Sequence, residues 1–296
     1  MKNIKHHFTI ILLCLFFHQA VVFAKEPTCS SCEDTFPADY VYCPFCGKTL
    51  DTISEDEPLV ISDNTIVHLG HSGILLQITG RVLVFDYPCP NTSSEMWYVL
   101  REEELVNERV YVFSSHSHSD HHKDRIYRWK DTISDIKIIL ASYIRSHPAD
   151  AIVVEPNQTI TVEDMTIRTY PSTDAGVAYS VYLDNKHIYF SGDNGFWNWK
   201  GERAQQEYIE KDLARVDRTV PMDIAFQVGD PYATGVGDGG IRIFALTFQP
   251  KLLVPIHLRG EYEHLTFIDK QLKRRGFKNR FWAVKKPKDT ISFLSD

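Results

Sequence analysis

Apolar residues along this chain fall in short runs punctuated by glycine and polar pairs. Residues 65–69, 74–78 and 82–85 are β-branched or apolar stretches broken by Gly70, Gly73 and Gly80, a spacing that predicts three strands. Five more strands are predicted at 110–113, 136–140, 165–170, 177–183 and 187–190. In the stretch 177–183, Val177, Tyr179, Val181 and Leu183 alternate with Ala178, Ser180 and Tyr182, the period of two of a strand. Helices are predicted at about 94–105, 120–130, 202–216 and 263–275, the last stopped by Gly276. Many strands with few helices between them predict two sheets with helices outside, an α/β sandwich rather than a parallel doubly wound sheet.

The N-terminal pattern is different. Lys2, Lys5, His6 and His7 precede an almost wholly apolar run over 8–17, and Val22-Phe23-Ala24 offers a small residue before a cut. This predicts a secretory signal peptide over 1–24, and export to the periplasm or the extracellular space. Its apolar core is about ten residues, short for a membrane span of about 20. An uncleaved segment would instead anchor the chain to a membrane. Cys29-Ser-Ser-Cys32 and Cys43-Pro-Phe-Cys46-Gly47 follow, two C-x-x-C pairs ten residues apart. Two such turns place Cys29, Cys32, Cys43 and Cys46 around one tetrahedral Zn2+, in a zinc-ribbon-like module over 25–52. Two disulfides are the open alternative for exported cysteines. Either way the module is closed at four positions, and so structural. Residues 53–59 read as an acidic linker and 60–296 as the main domain.

Composition narrows the function classes. A hydrophobic share of 43% with 24% charged residues excludes general disorder. A net charge of −7 without a dense Lys/Arg tract argues against a nucleic-acid partner. No run of about 20 apolar residues follows the N-terminus, so no integral membrane domain is expected after cleavage. The partner expected is a small-molecule substrate, and the oligomeric state stays open.

The candidate chemistry lies in Ser115-His116-Ser117-His118-Ser119-Asp120-His121-His122, which follows the predicted strand 110–113. Four of the chain's 13 histidines fall within these positions. Alternating residues on an extended stretch share a face, so His116 and His118 can grip one metal. Where the chain then turns, Asp120 and His121 point at a second site.

On these residues the sequence resembles the metallo-β-lactamase-fold hydrolases, whose signature H-x-H-x-D-H reads here as His116-Ser-His118-Ser-Asp120-His121. The resemblance covers about residues 62–260. Ile66-Val67-His68-Leu69-Gly70-His71-Ser72 is similar to the family's opening strand, and Asp86 to the acid ending its next hairpin. Ser191-Gly192-Asp193 is similar to the Gly-Asp whose carboxylate bridges two metals, and Val254-Pro255-Ile256-His257 to the strand end carrying the final histidine. The resemblance implies a four-layer αββα sandwich with two Zn2+ at one edge; Mn2+ or Fe2+ also suit the main site. The implied ligands are His116, His118, Asp120, His121, Asp193 and His257. The implied nucleophile is a hydroxide bridging metals about 3.5–4 Å apart. Asp120 would orient it, with His122 as a further catalytic candidate.

One departure concerns the first metal. The family's third histidine has no counterpart in Pro171-Ser172-Thr173-Asp174-Ala175-Gly176. Asp174 is the candidate replacement ligand, with an Asx-type turn as the alternative. Trp197 and Trp199 are candidates for a pocket wall or for plain packing. Asp230 lies either near metal and substrate or on a surface loop with the glycine-rich 234–240. His71, His147 and His187 read as packing or surface residues.

The expected function is an exported binuclear zinc hydrolase of a small ester, lactone, thioester or phosphodiester. The Asp120, His121 and Asp193 set is more similar to the lactonase, thioesterase and phosphodiesterase branches than to β-lactam hydrolases. The alternative, motivated by the missing histidine, is a weakly active or inactive metal-binding protein that acts through partner binding by the ribbon module.

Overall fold

A computed structural model describes residues 61–197, 207–232 and 240–294, with Cys29, Cys32, Thr35, Tyr40, Cys43, Leu50 and Leu59 before them. The expected signal peptide, Cys46 and Trp199 lie outside the described residues, as does the linker apart from Leu59.

Among the described residues fourteen strands form two sheets of seven. The first holds β1 (Thr65–Gly70), β2 (Gly73–Ile78), β3 (Arg81–Phe85), β4 (Arg109–Ser114), β5 (Ile136–Ala141), β6 (Ile152–Val154) and β14 (Thr290–Ser292), in the order β14-β1-β2-β3-β4-β5-β6. The second holds β7 (Thr159–Val162), β8 (Met165–Pro171), β9 (Val177–Leu183), β10 (Lys186–Phe190), β11 (Ile224–Val228), β12 (Leu252–Ile256) and β13 (Arg280–Phe281), in the order β13-β12-β11-β10-β9-β8-β7. Each sheet opens with an antiparallel meander and continues in parallel: β3 with β4, β5 and β6, and β10 with β11, β12 and β13. The carboxyl ends of several parallel strands therefore share one edge in each half, where open α/β sheets place ligands.

Three apolar layers hold the sandwich. Between the sheets, Phe85, Phe113, Phe190 and Phe226 pack together, with Phe85 stacked on Phe113 at 4.7 Å and on Phe190 at 4.8 Å. These rings lie just before the strand-end residues Asp86, His116 and Asp193, and give that edge a rigid, dry floor. Outside the first sheet, the 3-10 segments Glu102–Leu105 and Asp124–Asp131 lay Leu105, Ile126 and Trp129 over Val82, Val84 and Val112. Outside the second, helices α1 (Ile241–Phe248) and α2 (His264–Arg274) lay Phe244, Leu265 and Ile268 over Ala178, Tyr189 and Leu253. Both sheets are covered on both faces, which is why β1, β2, β11 and β12 are buried at every residue and largely apolar.

The helices differ more from expectation than the strands. The stretch expected as a helix at 94–105 is irregular until Glu102, because the Ser94 hydroxyl accepts from the amides of Met96 and Trp97 and holds a turn. The one expected at 120–130 is a turn followed by the 3-10 segment Asp124–Asp131, with His121 and His122 amides both on the His118 carbonyl. From Glu207, the expected helix 202–216 is a π turn over Tyr208–Asp212 and a 3-10 turn over Leu213–Arg215. Helix α2 agrees with the expected 263–275 to within one residue at each end.

Candidate metal centre

Strand ends deliver the candidate ligands. His116 follows β4, Asp193 follows β10 and His257 follows β12, while His118, Asp120 and His121 sit on the turn after β4. Asp193 is the hub. Its Oδ2 lies 3.3 Å from His116 Nε2, and its Oδ1 lies 3.3 Å from His121 Nε2 and 3.6 Å from His257 Nε2. Two ligand groups share this carboxylate. Atoms of His116, His118 and Asp193 lie within 4.8 Å of one another, as do those of Asp120, His121, His257 and His71. The residues fit divalent metal on a test of their own. His116 Nε2, His121 Nε2 and Asp193 Oδ1 are buried and make no hydrogen bond, although they face one another. Buried polar atoms without partners are costly, and divalent cations between them would satisfy all three.

The far side of each ring is fixed. Asp86, at the end of β3, accepts from the Ser115 amide at 2.7 Å, the Ser115 hydroxyl at 2.6 Å and His121 Nδ1 at 2.8 Å. With its proton given to Asp86, the Ser115 oxygen accepts from His116 Nδ1 at 2.8 Å. Asp230, after β11, accepts from His257 Nδ1 at 2.8 Å and Arg259 Nε at 2.7 Å. His116, His121 and His257 thus carry Nδ1–H and turn their Nε2 lone pairs inward, the arrangement that metal-ligating imidazoles use. The backbone is strained at the same places: Asp86 (φ 42°), His71 (φ 44°) and His257 (φ 63°) adopt left-handed conformations. Two glycines let the halves touch. A Cβ on Gly176 would run into the Ser115 carbonyl, and one on Gly192 would lie 2.7 Å from Ser115 Cβ.

The electrostatics follow from this crowding in the metal-free centre. Burial alone would push His121 down, but Asp193, Asp86 and Asp120 raise it to about 9. Burial alone would push Asp193 up, but His121, His257 and His116 hold it well below the usual carboxylate range. Asp120 is likewise held low against burial, by His71 and His121. Burial lowers His71 to about 4, with His257 and His121 adding to it against the pull of Asp120.

Six candidate ligands are brought together: His116, His118, Asp120, His121, Asp193 and His257. Asp174 is not among them. Its side chain is exposed, at the tip of a loop closed by the Ser172 amide on the Gly176 carbonyl. It is the neighbouring Thr173 that reaches inward, its hydroxyl meeting the carbonyls of Asp193 and Gly195 at 3.1 and 2.7 Å. His122 points elsewhere. Its Nδ1 is 3.0 Å from Ser114 Oγ and its Nε2 2.9 Å from Tyr127 Oη, so it ties down the turn rather than facing the ligands. Trp197 is 1% exposed, donates to the Asp193 carbonyl at 2.9 Å and packs 5.3 Å from His257, and it also lines a cavity with Ser172, Thr173 and Gly195. Asp230 is 1% exposed and backs His257 rather than lining a pocket. Sequence reasoning missed the parts played by Ser115, Thr173 and His71. His71 ends β1 at the same edge as His257, a signal present in the strand pattern itself.

Before the main domain, Cys29, Cys32 and Cys43 place their sulfurs within 4.8 Å of one another, with Cys32 and Cys43 at 3.7 Å and no disulfide among the described cysteines.

No family model and no curated protein matches the chain. Solved structures do. Igni18, a metallo hydrolase from Ignicoccus hospitalis, is 16% identical over 77% of this chain and 97% of its own, with a TM-score of 0.54. A possible metal-dependent hydrolase from Veillonella parvula is 14% identical over 78% of this chain and 100% of its own, with a TM-score of 0.52. A mutant of the β-hydroxylase CmlA, a diiron enzyme from Streptomyces venezuelae, is 11% identical over 79% of this chain and 54% of its own, with a TM-score of 0.50. Identities this low carry the fold alone, and that fold hosts more than one reaction.

Proposed function

We propose that this chain, which has the metallo-β-lactamase fold, is an exported metal-dependent hydrolase of a small ester, lactone, thioester or phosphodiester, working with a pair of divalent cations, Zn2+ by donor chemistry. The observation that carries the proposal is the convergence of three buried, unpartnered ligand atoms, His116 Nε2 and His121 Nε2 from the stretch after β4 and Asp193 Oδ1 from the end of β10. His116, His118 and Asp193 would hold the first cation, and Asp120, His121, His257 and Asp193 the second. Three protein groups at the first cation match catalytic zinc, which keeps a position open for water or substrate. Bound there, the cations supply Lewis acidity and lower the pKa of water toward about 7.

The chain's own residues supply order. Asp86 and Asp230 hold three imidazoles in the ligating tautomer, and Thr173 and Trp197 fix the carbonyl of Asp193 and so its turn. Asp120 is the least buried ligand carboxylate and faces the open side, where it can accept a proton from an attacking water. An open cavity of about 560 Å3 is lined by Ser94, Glu95, Trp97, Tyr98, Lys286 and Lys288, with none of the candidate ligands in its wall. It meets the centre through Trp97, whose ring packs 5.6 Å from that of His71, and its size suits a small molecule. Among the described residues no helix is long and apolar enough to cross a membrane. The gathered thiols of Cys29, Cys32 and Cys43, with Cys46 as the fourth ligand, support a structural Zn2+ in the N-terminal module.

The test is hydrolysis of an aryl ester, a lactone, a thioester and a phosphodiester by the zinc-loaded protein. At least one is expected to turn over and to stop with a chelator and with Asp193→Asn. Turnover of none, or turnover that survives Asp193→Asn, overturns the proposal.

A further inference from the structure

His71 stands in the same ligand group as Asp120, His121 and His257, and its position alone would make it a ligand of the second cation. Its hydrogen bonds say otherwise. The three rings with Nδ1 on Asp86, on Asp230 or on the Ser115 hydroxyl meet an acceptor, so each keeps its proton on Nδ1. His71 Nδ1 meets the backbone amide of Arg259 at 3.2 Å, and an amide N–H can only donate. The neutral ring therefore has its lone pair on Nδ1 and its proton on Nε2. The residue has no freedom to exchange these roles. It is 1% exposed, its carbonyl accepts from the His257 amide at 2.9 Å, and its ring is packed between His257 at 4.1 Å and Trp97 at 5.6 Å. Coordination through Nε2 would require a proton on Nδ1, pointed at the Arg259 N–H.

His71 Nε2 is buried and completes no hydrogen bond in the metal-free centre; the carboxylate oxygen beside it is Asp120 Oδ2 at 3.2 Å, closer than the 3.8 Å from that oxygen to His121 Nε2. Asp120 needs a hold, since its side chain is 40% exposed while Asp193 is 3% exposed. We infer that His71 is not a metal ligand but a positioning residue, a neutral Nε2–H donor that fixes the Asp120 carboxylate toward the second cation. This rests on the metal-centre reading of the proposed function. It leaves that cation with Asp120, His121, His257 and the shared Asp193.

The experiment uses the full chain with 15N-labelled histidine, free of metal and then titrated with Zn2+ alone. Long-range 1H–15N spectra separate protonated, unprotonated and zinc-bound ring nitrogens, and the His71 signals are those lost in His71→Gln. His71 is expected to show a protonated Nε2 and a bare Nδ1 with and without zinc. His71→Gln, which returns an N–H near the Nε2 position, is expected to keep the wild-type zinc stoichiometry with affinity within about tenfold. His71→Ala is expected to weaken zinc by about 10–100-fold, the usual effect of losing a partner behind a ligand. A zinc-bound Nε2 at His71, or one equivalent of zinc lost in His71→Gln, overturns the inference. If Asp193→Asn takes up as much zinc as the wild type, the metal-centre reading fails instead. The zinc-free spectrum then still decides whether His71 is a donor.

Discussion

Asp230 accepts the Nδ1 proton of His257 at 2.8 Å, from a strand end next to the one that carries the histidine. The same oxygen accepts from Arg259 Nε at 2.7 Å, and together these contacts hold the Asp230 carboxyl down at about 2 against the upward push of burial. The carboxylate thus stays ionised and sets the ring's tautomer and angle. Replacing it by an amide of equal size removes the charge and keeps the shape. Asp230→Asn should weaken zinc at the main centre by about tenfold or more, with the fold intact. Competition against a chromogenic chelator measures this, and unchanged affinity would remove Asp230 from the centre.

In the metal-free centre His121 is raised to about 9 by Asp193, Asp86 and Asp120, against its burial. A raised histidine stabilises the fold fully below its unfolded value of 6.5, and that contribution is lost as the pH climbs through about 9. The ring should therefore titrate near 9 in the metal-free protein, and zinc, which takes the Nε2 position, should abolish the titration. Histidine C–H shifts followed by NMR report both. A midpoint near 6.5 would mean that the three carboxylates do not act together on this ring.

His68 gives the opposite sign. It is fully buried on β1 and lowered to about 3 by burial, with the nearby His71 adding to it. A lowered histidine contributes stability above its unfolded value of 6.5, and that contribution is lost as the pH falls from 6.5 toward 3. At about 1.4 kcal/mol per unit, the loss between pH 7 and pH 5 is roughly 2 kcal/mol. Urea unfolding of the wild type and of His68→Gln at both pH values isolates it. An equal loss in both proteins would assign the acid sensitivity elsewhere.

The parts of this molecule legible in the sequence are those where one residue type has one physical use. Eight strands were legible because sheets buried on both faces demand largely apolar runs, as in β2, whereas the short edge strands β6, β7, β13 and β14, and also β11, were not read from the pattern. The six residues that converge at this edge were legible because histidines and aspartates at strand ends and in a turn have few other uses. The outer layer, apart from helix α2, was not. The α1 sequence Ile-Arg-Ile-Phe-Ala-Leu-Thr-Phe carries the β-branched and aromatic residues of a strand, and packing against the second sheet makes it a helix. Nor was the layer behind the ligands legible. Ser115, Thr173 and Asp230 gain their parts from chain crossings 20 to 29 residues apart in sequence, which no local pattern encodes.

Asp174 tests whether the proposed first cation site needs a fourth protein group. The loop from Ser172 to Gly176 lies against Ser115 and His116, so it sits where a substitute for a missing histidine would have to come from. Within it the Thr173 hydroxyl turns inward to the carbonyls of Asp193 and Gly195, and the Asp174 side chain stands exposed, outside the ligand groups among the described residues. A closed loop cannot aim both side chains at the centre without breaking the Thr173 contacts. Asp174→Ala should therefore retain the full zinc content, with affinity within about threefold, well short of the effect of a lost partner behind a ligand. Thr173→Val, which keeps the shape and removes the hydroxyl, should weaken zinc by about tenfold by loosening the Asp193 turn. Mass spectrometry of the purified variants gives the stoichiometry and chelator competition the affinity. One zinc lost in Asp174→Ala alone would restore the carboxylate as a ligand, and would require the loop to swing inward when metal binds.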